Sequence, residues 1–191
     1  MRLFVAIDLD PEIRNRIATF LDGVRGFAPE ARWVSAQSLH VTLKFIGESQ
    51  RLEEIKSRLA LVTGKATQLS FRGTGFFPNS RAARVFWVGI RAHEDADKNL
   101  PALVASIDFE LDKLGIEKEE RAYTPHLTLA RGGGHRSPEQ SHNPFQKLVG
   151  QLDKRPAPDF GTMTAREFFL YQSKTAPSGA VYTKLARYEL K

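Results

Sequence analysis

Two short phrases in this chain hold residue types suited to acid–base chemistry: Leu39-His40-Val41-Thr42-Leu43, and His126-Leu127-Thr128-Leu129 directly after Pro125. The histidines are 126 − 40 = 86 residues apart. One His-x-Thr is weak evidence of a site, but two copies with matching apolar flanks are not. In an extended strand the side chains at i and i+2 share a face. His40 and Thr42 therefore project together, as do His126 and Thr128, while Val41, Leu43, Leu127 and Leu129 face a core. Two imidazoles and two hydroxyls converging on one cleft would meet the needs of phosphodiester cleavage. These are a base for the attacking oxygen, an acid for the departing oxygen, and donors for the non-bridging oxygens. An unperturbed imidazole pKa of about 6.5 lets one ring be neutral and the other protonated near neutral pH.

The same residues have plainer readings. A single strand histidine is more often structural, and histidines on strands can also ligate metals. Here the residue at i+2 is Thr, a poor ligand, and no Asp or Glu stands at a comparable position beside either histidine, so no metal site and no cofactor is expected. His93, His135 and His142 fall in loop or helix-edge contexts and read as surface residues. With no cysteine, the chain has no disulfide, thiolate metal site or cysteine nucleophile. Its 28 Lys and Arg against 22 Asp and Glu give a net charge of +6. That favours an anionic partner such as RNA, or is simply the charge of a generically basic soluble protein. The opening apolar run is too short for a signal peptide and no stretch approaches a membrane span of about 20 apolar residues, so no membrane partner and a cytosolic location are expected.

The elements that must position the two phrases can be read from periodicity. Leu3 to Leu9 reads as a strand, and Asp10-Pro11 as the N-cap and first position of a helix whose apolar residues are Ile13, Ile17, Phe20, Leu21 and Val24, ending near Gly26. An extended piece at Trp33-Val34 and a strand from Leu39 to Ile46, closed by Gly47, follow. A second helix is expected over Leu52, Ile55, Leu59 and Val62. Strands Phe71–Phe77 and Val85–Ile90 flank the turn residues Pro78-Asn79-Ser80. The clearest helix carries Leu100, Leu103, Val104, Ile107, Leu111 and Leu114 and stops at Gly115. A strand from His126 to Arg131 precedes a polar, glycine- and proline-bearing segment to about Pro158, expected to be a loop with little regular structure. Glu167–Tyr171 and Val181–Leu190 read as closing strands. An amphipathic helix precedes each histidine strand, so the halves look like copies. The 191 residues suit a single domain of two α+β lobes facing each other.

At this point the sequence resembles the 2H phosphoesterases, and within them the bacterial and archaeal RNA 2′,3′-cyclic phosphodiesterases, also called 2′-5′ RNA ligases. The likeness runs through Arg2-Leu3-Phe4-Val5-Ala6-Ile7-Asp8-Leu9, the stretch Leu39 to Glu48, Phe76-Phe77-Pro78, and Arg84-Val85-Phe86-Trp87. It continues through Pro125 to Arg131, Leu170-Tyr171-Gln172-Ser173 and Tyr182. The segment from Gly132 to Pro158 has no match.

The resemblance implies a bilobal α+β fold with pseudo-twofold symmetry, each lobe holding an antiparallel sheet and helices, with an active-site cleft between them. It implies metal-independent catalysis by His40 and His126, and substrate binding by Thr42, Thr128, Arg131 and Phe4, the last shaping a base pocket. Substrates would be RNA with 2′,3′-cyclic phosphate ends or nucleoside 2′,3′-cyclic phosphates, opened to a 2′-phosphate by a monomer. His126 would serve as base toward water and His40 as acid toward the 3′ oxygen. Two alternatives stand beside this reading. One is a 2′-5′ RNA ligase joining tRNA halves with the same site. The other is a non-catalytic RNA-end binding protein, which the basic charge and exposed aromatics at Phe4, Phe77 and Tyr171 would serve.

Overall fold

Among the described residues, nine strands form two antiparallel sheets. The computed structural model describes residues 1–92, 96–132, 143–176 and 179–191. The chain opens with β1 (Arg2–Asp8), then α1 (Pro11–Val24), which buries Ile13, Ile17, Leu21 and Val24 at helical spacing. Pro11 supplies a preset φ at the first helical position. Asp10 does not cap: its side chain makes no capping hydrogen bond, and its role is confined to its carbonyl, which accepts from Arg14 N–H at 3.0 Å. A 3-10 turn, Arg25–Phe27, ends the helix where Gly26 lies. The two-residue β2 (Arg32–Trp33) and another 3-10 turn, Ala36–Ser38, lead into β3 (His40–Glu48).

The second helix, α2 (Leu52–Leu59), is shorter than its apolar pattern suggests: Val62 is buried from the turn beyond it. Next come β4 (Thr67–Phe77), β5 (Val85–Ala92) and α3 (Ala96–Asp112). Gly115 takes φ +71° past the end of α3 and donates its N–H to Asp112 O, the left-handed stop that glycine makes without strain. The second motif forms β6 (His126–Arg131).

One expectation fails beyond it, and one strand is not foreseen. The stretch read as an unstructured loop contains α4 (Gln146–Leu152), where Leu148 and the preceding Phe145 are fully buried, and β7 (Asp159–Ala165) follows the stretch directly. The seven residues of α4 are too few to show a helical period. In β7 the alternation breaks at Gly161, whose φ is +96°. Residues 133–142 of this stretch, including His135 and His142, lie outside the described residues, as does His93. The chain closes with β8 (Glu167–Ala176) and β9 (Gly179–Glu189).

One sheet has the order β3-β1-β8-β9 and the other β2-β6-β5-β4-β7. Each motif strand is thus flanked by one inner strand, β1 or β5, and the two sheets meet where β3 runs beside β6. The short strand β2 is the part of the second sheet that has no counterpart in the first. Helix α1 packs on β7, and α3 packs on β3, β4 and β5. A continuous apolar core, drawing Val5, Ile7, Val41 and Leu170 from one sheet and Phe71, Phe86, Val88 and Leu127 from the other, lies between these layers. At about 25 cal/mol per Å² of apolar surface removed from water, a core of this extent is the main force holding the sheets together. Lys44, the one buried cation among the described residues, pairs with Asp108 of α3 at 2.7 Å, fastening β3 to that helix.

Candidate active site

The two motif strands repeat the same buried and exposed sequence, residue for residue. From His40 to Phe45 and from His126 to Arg131 the order is partly buried, buried, partly buried, buried, buried, exposed. Pairing with the inner strands explains it. Opposite His40, Thr42 and Phe45 stand Asp8, Ala6 and Phe4, alternate residues of β1 and so on one face. Opposite His126, Thr128 and Arg131 stand Gly89, Trp87 and Val85, alternate residues of β5. In each strand the register jumps by one after the threonine, leaving Leu43 and Leu129 as the extra residues of matching β-bulges. Strict alternation would turn Phe45 and Arg131 into the core. The bulge resets the phase and delivers both to the face of the histidines, with Lys44 and Ala130 turned inward instead.

Each ring is held the same way. His40 Nδ1 lies 2.7 Å from Ser38 O, and His126 Nδ1 lies 2.7 Å from Thr124 O. A carbonyl only accepts, so Nδ1 carries the proton in both rings and donates it. Nε2 is then the working nitrogen of each, a base when neutral and an acid when protonated.

The segments leading into the motifs latch across the junction. Val34 N–H, just after β2, donates to Leu129 O on β6 at 2.8 Å. Tyr123, just ahead of β6, donates its hydroxyl to Thr42 O on β3 at 3.0 Å. Each histidine strand therefore receives a hydrogen bond from the chain that feeds the other. Burial of the Tyr123 hydroxyl pushes its pKa far up, keeping it a donor.

Around this repeated frame the surroundings differ. His40 lies among aromatic rings: Phe4 at 4.8 Å, tilted, and Tyr182 at 5.1 Å, edge-on. Phe4 in turn stacks on Tyr171 at 5.0 Å with planes 7° apart. Beside the ring, Asp8 accepts from Arg14 and Lys184, and Arg14 also donates to Ala36 O and Leu39 O, bracketing the turn that presents Ser38 O. Burial lowers the His40 pKa below 6.5; the Ser38 carbonyl and Asp8 oppose this, and the positive charges of Arg131 and Arg14 add to it. His126 instead meets Phe77 edge-on at 5.0 Å, and Phe77 lies 5.1 Å from Trp87. The Trp87 indole lies directly over Gly75, where any Cβ would sit 2.3 Å from the ring.

A cavity of about 610 Å³, lined by Asp8, Arg14, Ser38, His40, Tyr182 and Lys184, opens beside His40 and is within the range of small-ligand sites. A hollow of about 710 Å³ between Gly73–Phe76 and Leu152–Pro158 holds no motif residue. Among the described residues no three of His, Cys, Asp and Glu converge on a point.

The duplicated frame has a match among known proteins. Two stretches of the sequence, residues 7–87 and 90–182, match the family described as LigT like Phosphoesterase, and each stretch contains one His-x-Thr. The chain belongs to the LigT-like phosphoesterase family. A protein of Archaeoglobus fulgidus named RNA 2′,3′-cyclic phosphodiesterase is 34% identical over 191 residues, which cover 99% of this chain and 100% of the relative. One of the same name from Escherichia coli K12 is 32% identical, over 99% of this chain and 96% of the relative. The crystal structure of E. coli LigT complexed with 3′-AMP superposes with a TM-score of 0.75 at 29% identity, covering 99% of this chain and 97% of that one. The bilobal α+β fold expected from the resemblance is the fold of this LigT-like chain.

Of the residues singled out from sequence, His40 and Thr42 share one face of β3, His126, Thr128 and Arg131 share one face of β6, and these two strands lie in contact. Phe4 is placed differently. Its ring is 3% exposed and Tyr171 is 6% exposed, so neither is the open stacking surface expected of it. Their stack covers the outer face of β1 and β8 and seats His40, while the exposed ring there is Phe45, at 59%. Sequence reasoning missed Phe45, Arg14, Lys184 and Tyr123. The first is hidden by the bulge, and the others reach the site through contacts that span 22 or more residues.

Proposed function

We propose that this protein opens 2′,3′-cyclic phosphates at RNA ends, or on nucleosides, to 2′-phosphates, with His40 and His126 as acid and base. The observation that carries the reading is the pair of imidazoles, each fixed by a carbonyl at Nδ1 with Nε2 left for chemistry, on matching bulged strands of facing lobes. In-line displacement at phosphorus puts nucleophile and leaving group on opposite sides, so proton carriers from opposite lobes suit it. The relatives named RNA 2′,3′-cyclic phosphodiesterase, and the E. coli LigT structure complexed with 3′-AMP, support the substrate class.

His126 Nε2 takes the proton of a water that attacks phosphorus. The bond to the 3′ oxygen breaks, and His40 Nε2–H returns a proton to that oxygen. In the free protein burial favours neutral His40, so the phosphate anion must draw its proton in on binding. Thr42 and Thr128 donate to the non-bridging oxygens, Arg131 adds charge, and Phe4 holds the His40 ring. Both histidines come from one chain, so a monomer suffices. No described helix is long and apolar enough to cross a membrane, and the cytosol, where RNA ends arise, is the proposed place of action.

The test is incubation with nucleoside and oligonucleotide 2′,3′-cyclic phosphates in excess chelator, with analysis of the products. Undiminished formation of a 2′-phosphate is expected. Loss of activity restored by a divalent cation, or a 3′-phosphate product, would refute the mechanism. Joining of a 5′-hydroxyl RNA in place of hydrolysis would identify a ligase, and binding without turnover an RNA-end binding protein.

A further inference from the structure

We propose that Arg32 and Arg131 form a second anion subsite, which takes the internucleotide phosphate next to the cyclic-phosphate terminus of an RNA strand. The inference rests on the cyclic phosphodiesterase reading above and goes beyond it to how a strand, as opposed to a single nucleotide, is held.

The strand β2 adds to the free edge of β6 and sets Arg32 directly opposite Arg131. Side chains directly opposite in an antiparallel pair share a face, with Cβ atoms about 5 Å apart. The bulge at Leu129 has already turned Arg131 onto the face of His126 and Thr128, so Arg32 stands on that face too. Both are exposed, and neither forms an ion pair with any described residue. Two like charges opposed across a ladder destabilise it, and a phosphate between them reverses the sign of the interaction. Guanidinium forks fit phosphate oxygens two at a time.

Position selects which phosphate. With the bulge absorbing one residue, Arg131 lies two strand steps from Thr128, about 7 Å, or roughly one nucleotide along an extended strand from the reacting phosphorus. Phe77 and Trp87 flank that path on the neighbouring strands and present rings to the intervening base. A nucleoside cyclic phosphate has no second phosphate, so the subsite makes turnover depend on substrate length and linkage charge.

The experiment is a cycle between the protein and the linkage. Wild type and Arg32→Gln are assayed on a nucleoside 2′,3′-cyclic phosphate, on a dinucleotide ending in the same cyclic phosphate, and on that dinucleotide with an uncharged methylphosphonate linkage. Neutralising the linkage is expected to lower wild-type kcat/KM by about 10-fold, the scale of one charge-assisted contact, and to change Arg32→Gln by less than about 2-fold. Because only the coupling is read, a general loss of activity in the variant does not disturb the result. Equal sensitivity of both proteins to the linkage charge, or none in either, overturns the subsite. If wild type turns over none of the three, the phosphodiesterase reading itself has failed. The subsite is then judged by the salt dependence of binding a short single-stranded RNA. A slope reduced by about 0.7 in Arg32→Gln supports it, and an unchanged slope overturns it.

Discussion

His40 and His126 occupy one backbone device built twice and furnished differently. The strand, the bulge after the threonine, the carbonyl that fixes Nδ1 and the latch from the opposite lobe are common to both. Around His40 the device carries a buried aromatic stack and the Asp8–Arg14–Lys184 network, whereas around His126 it carries glycine, Trp87, Phe77 and an exposed arginine pair. Where the proposed reaction calls for symmetry, in two proton carriers on either side of phosphorus, the backbone is duplicated. Where the proposed reaction calls for asymmetry, in separate acid and base and in the hold on the strand, the side chains differ.

The hardest test of that comparison removes each ring. His40→Ala and His126→Ala are each expected to lower kcat by about 10² to 10⁴ with the fold intact by circular dichroism, the range for losing an acid or base. Thr42→Ala and Thr128→Ala, each losing one hydroxyl donor, should cost less, about 10- to 100-fold. A histidine variant with near wild-type turnover would show that only one lobe does chemistry.

Roles can be separated with a substrate whose leaving 3′ oxygen is replaced by sulfur, which departs without protonation. His40→Ala should regain at least about 10-fold of its lost rate on this substrate, and His126→Ala should not. Recovery by His126→Ala alone would exchange the two assignments.

The latch is tested by Tyr123→Phe, which removes a hydroxyl and leaves the Thr42 carbonyl without that donor. A stability loss of about 1 to 3 kcal/mol in urea unfolding is expected, with kcat falling more than KM rises because the motif strands lose their tie. Unchanged stability and unchanged kcat would mean that packing alone sets the distance between lobes.

The smallest effect is electrostatic. Arg131 lowers the His40 pKa, so Arg131→Ala should move the His40 titration, followed by NMR of the ring, to higher pH. The same depressed pKa links folding to pH. Below about 6.5 the unfolded chain binds a proton at this residue that the folded one resists. Stability from His40 is therefore complete above that pH and is lost as pH falls through the folded value. His40→Gln should flatten this part of the stability profile, and an unaltered slope would assign it to other groups.

Sequence alone singled out the residues suited to acid–base chemistry and determined most of the elements. The period-two pattern around His40 and His126 fixed which side chains share a face, and the apolar stripes of α1 and α3 fixed the helices that precede them, because both patterns are local properties of the chain. It also exposed the duplication, since each copy carries its own motif. Tertiary structure decided what depends on partners. Phe45 and Arg131 are an odd number of residues from their histidines, so alternation predicts the wrong face for both, and only the register with β1 and β5 reveals the bulges that correct it. Likewise Arg32 stands opposite Arg131 because two residues pair with a strand about 100 positions away, and Phe4 became a buried support because Tyr171 and Tyr182 close over it. Register between distant strands is set by the summed packing of both faces, and no local run of residues contains that sum.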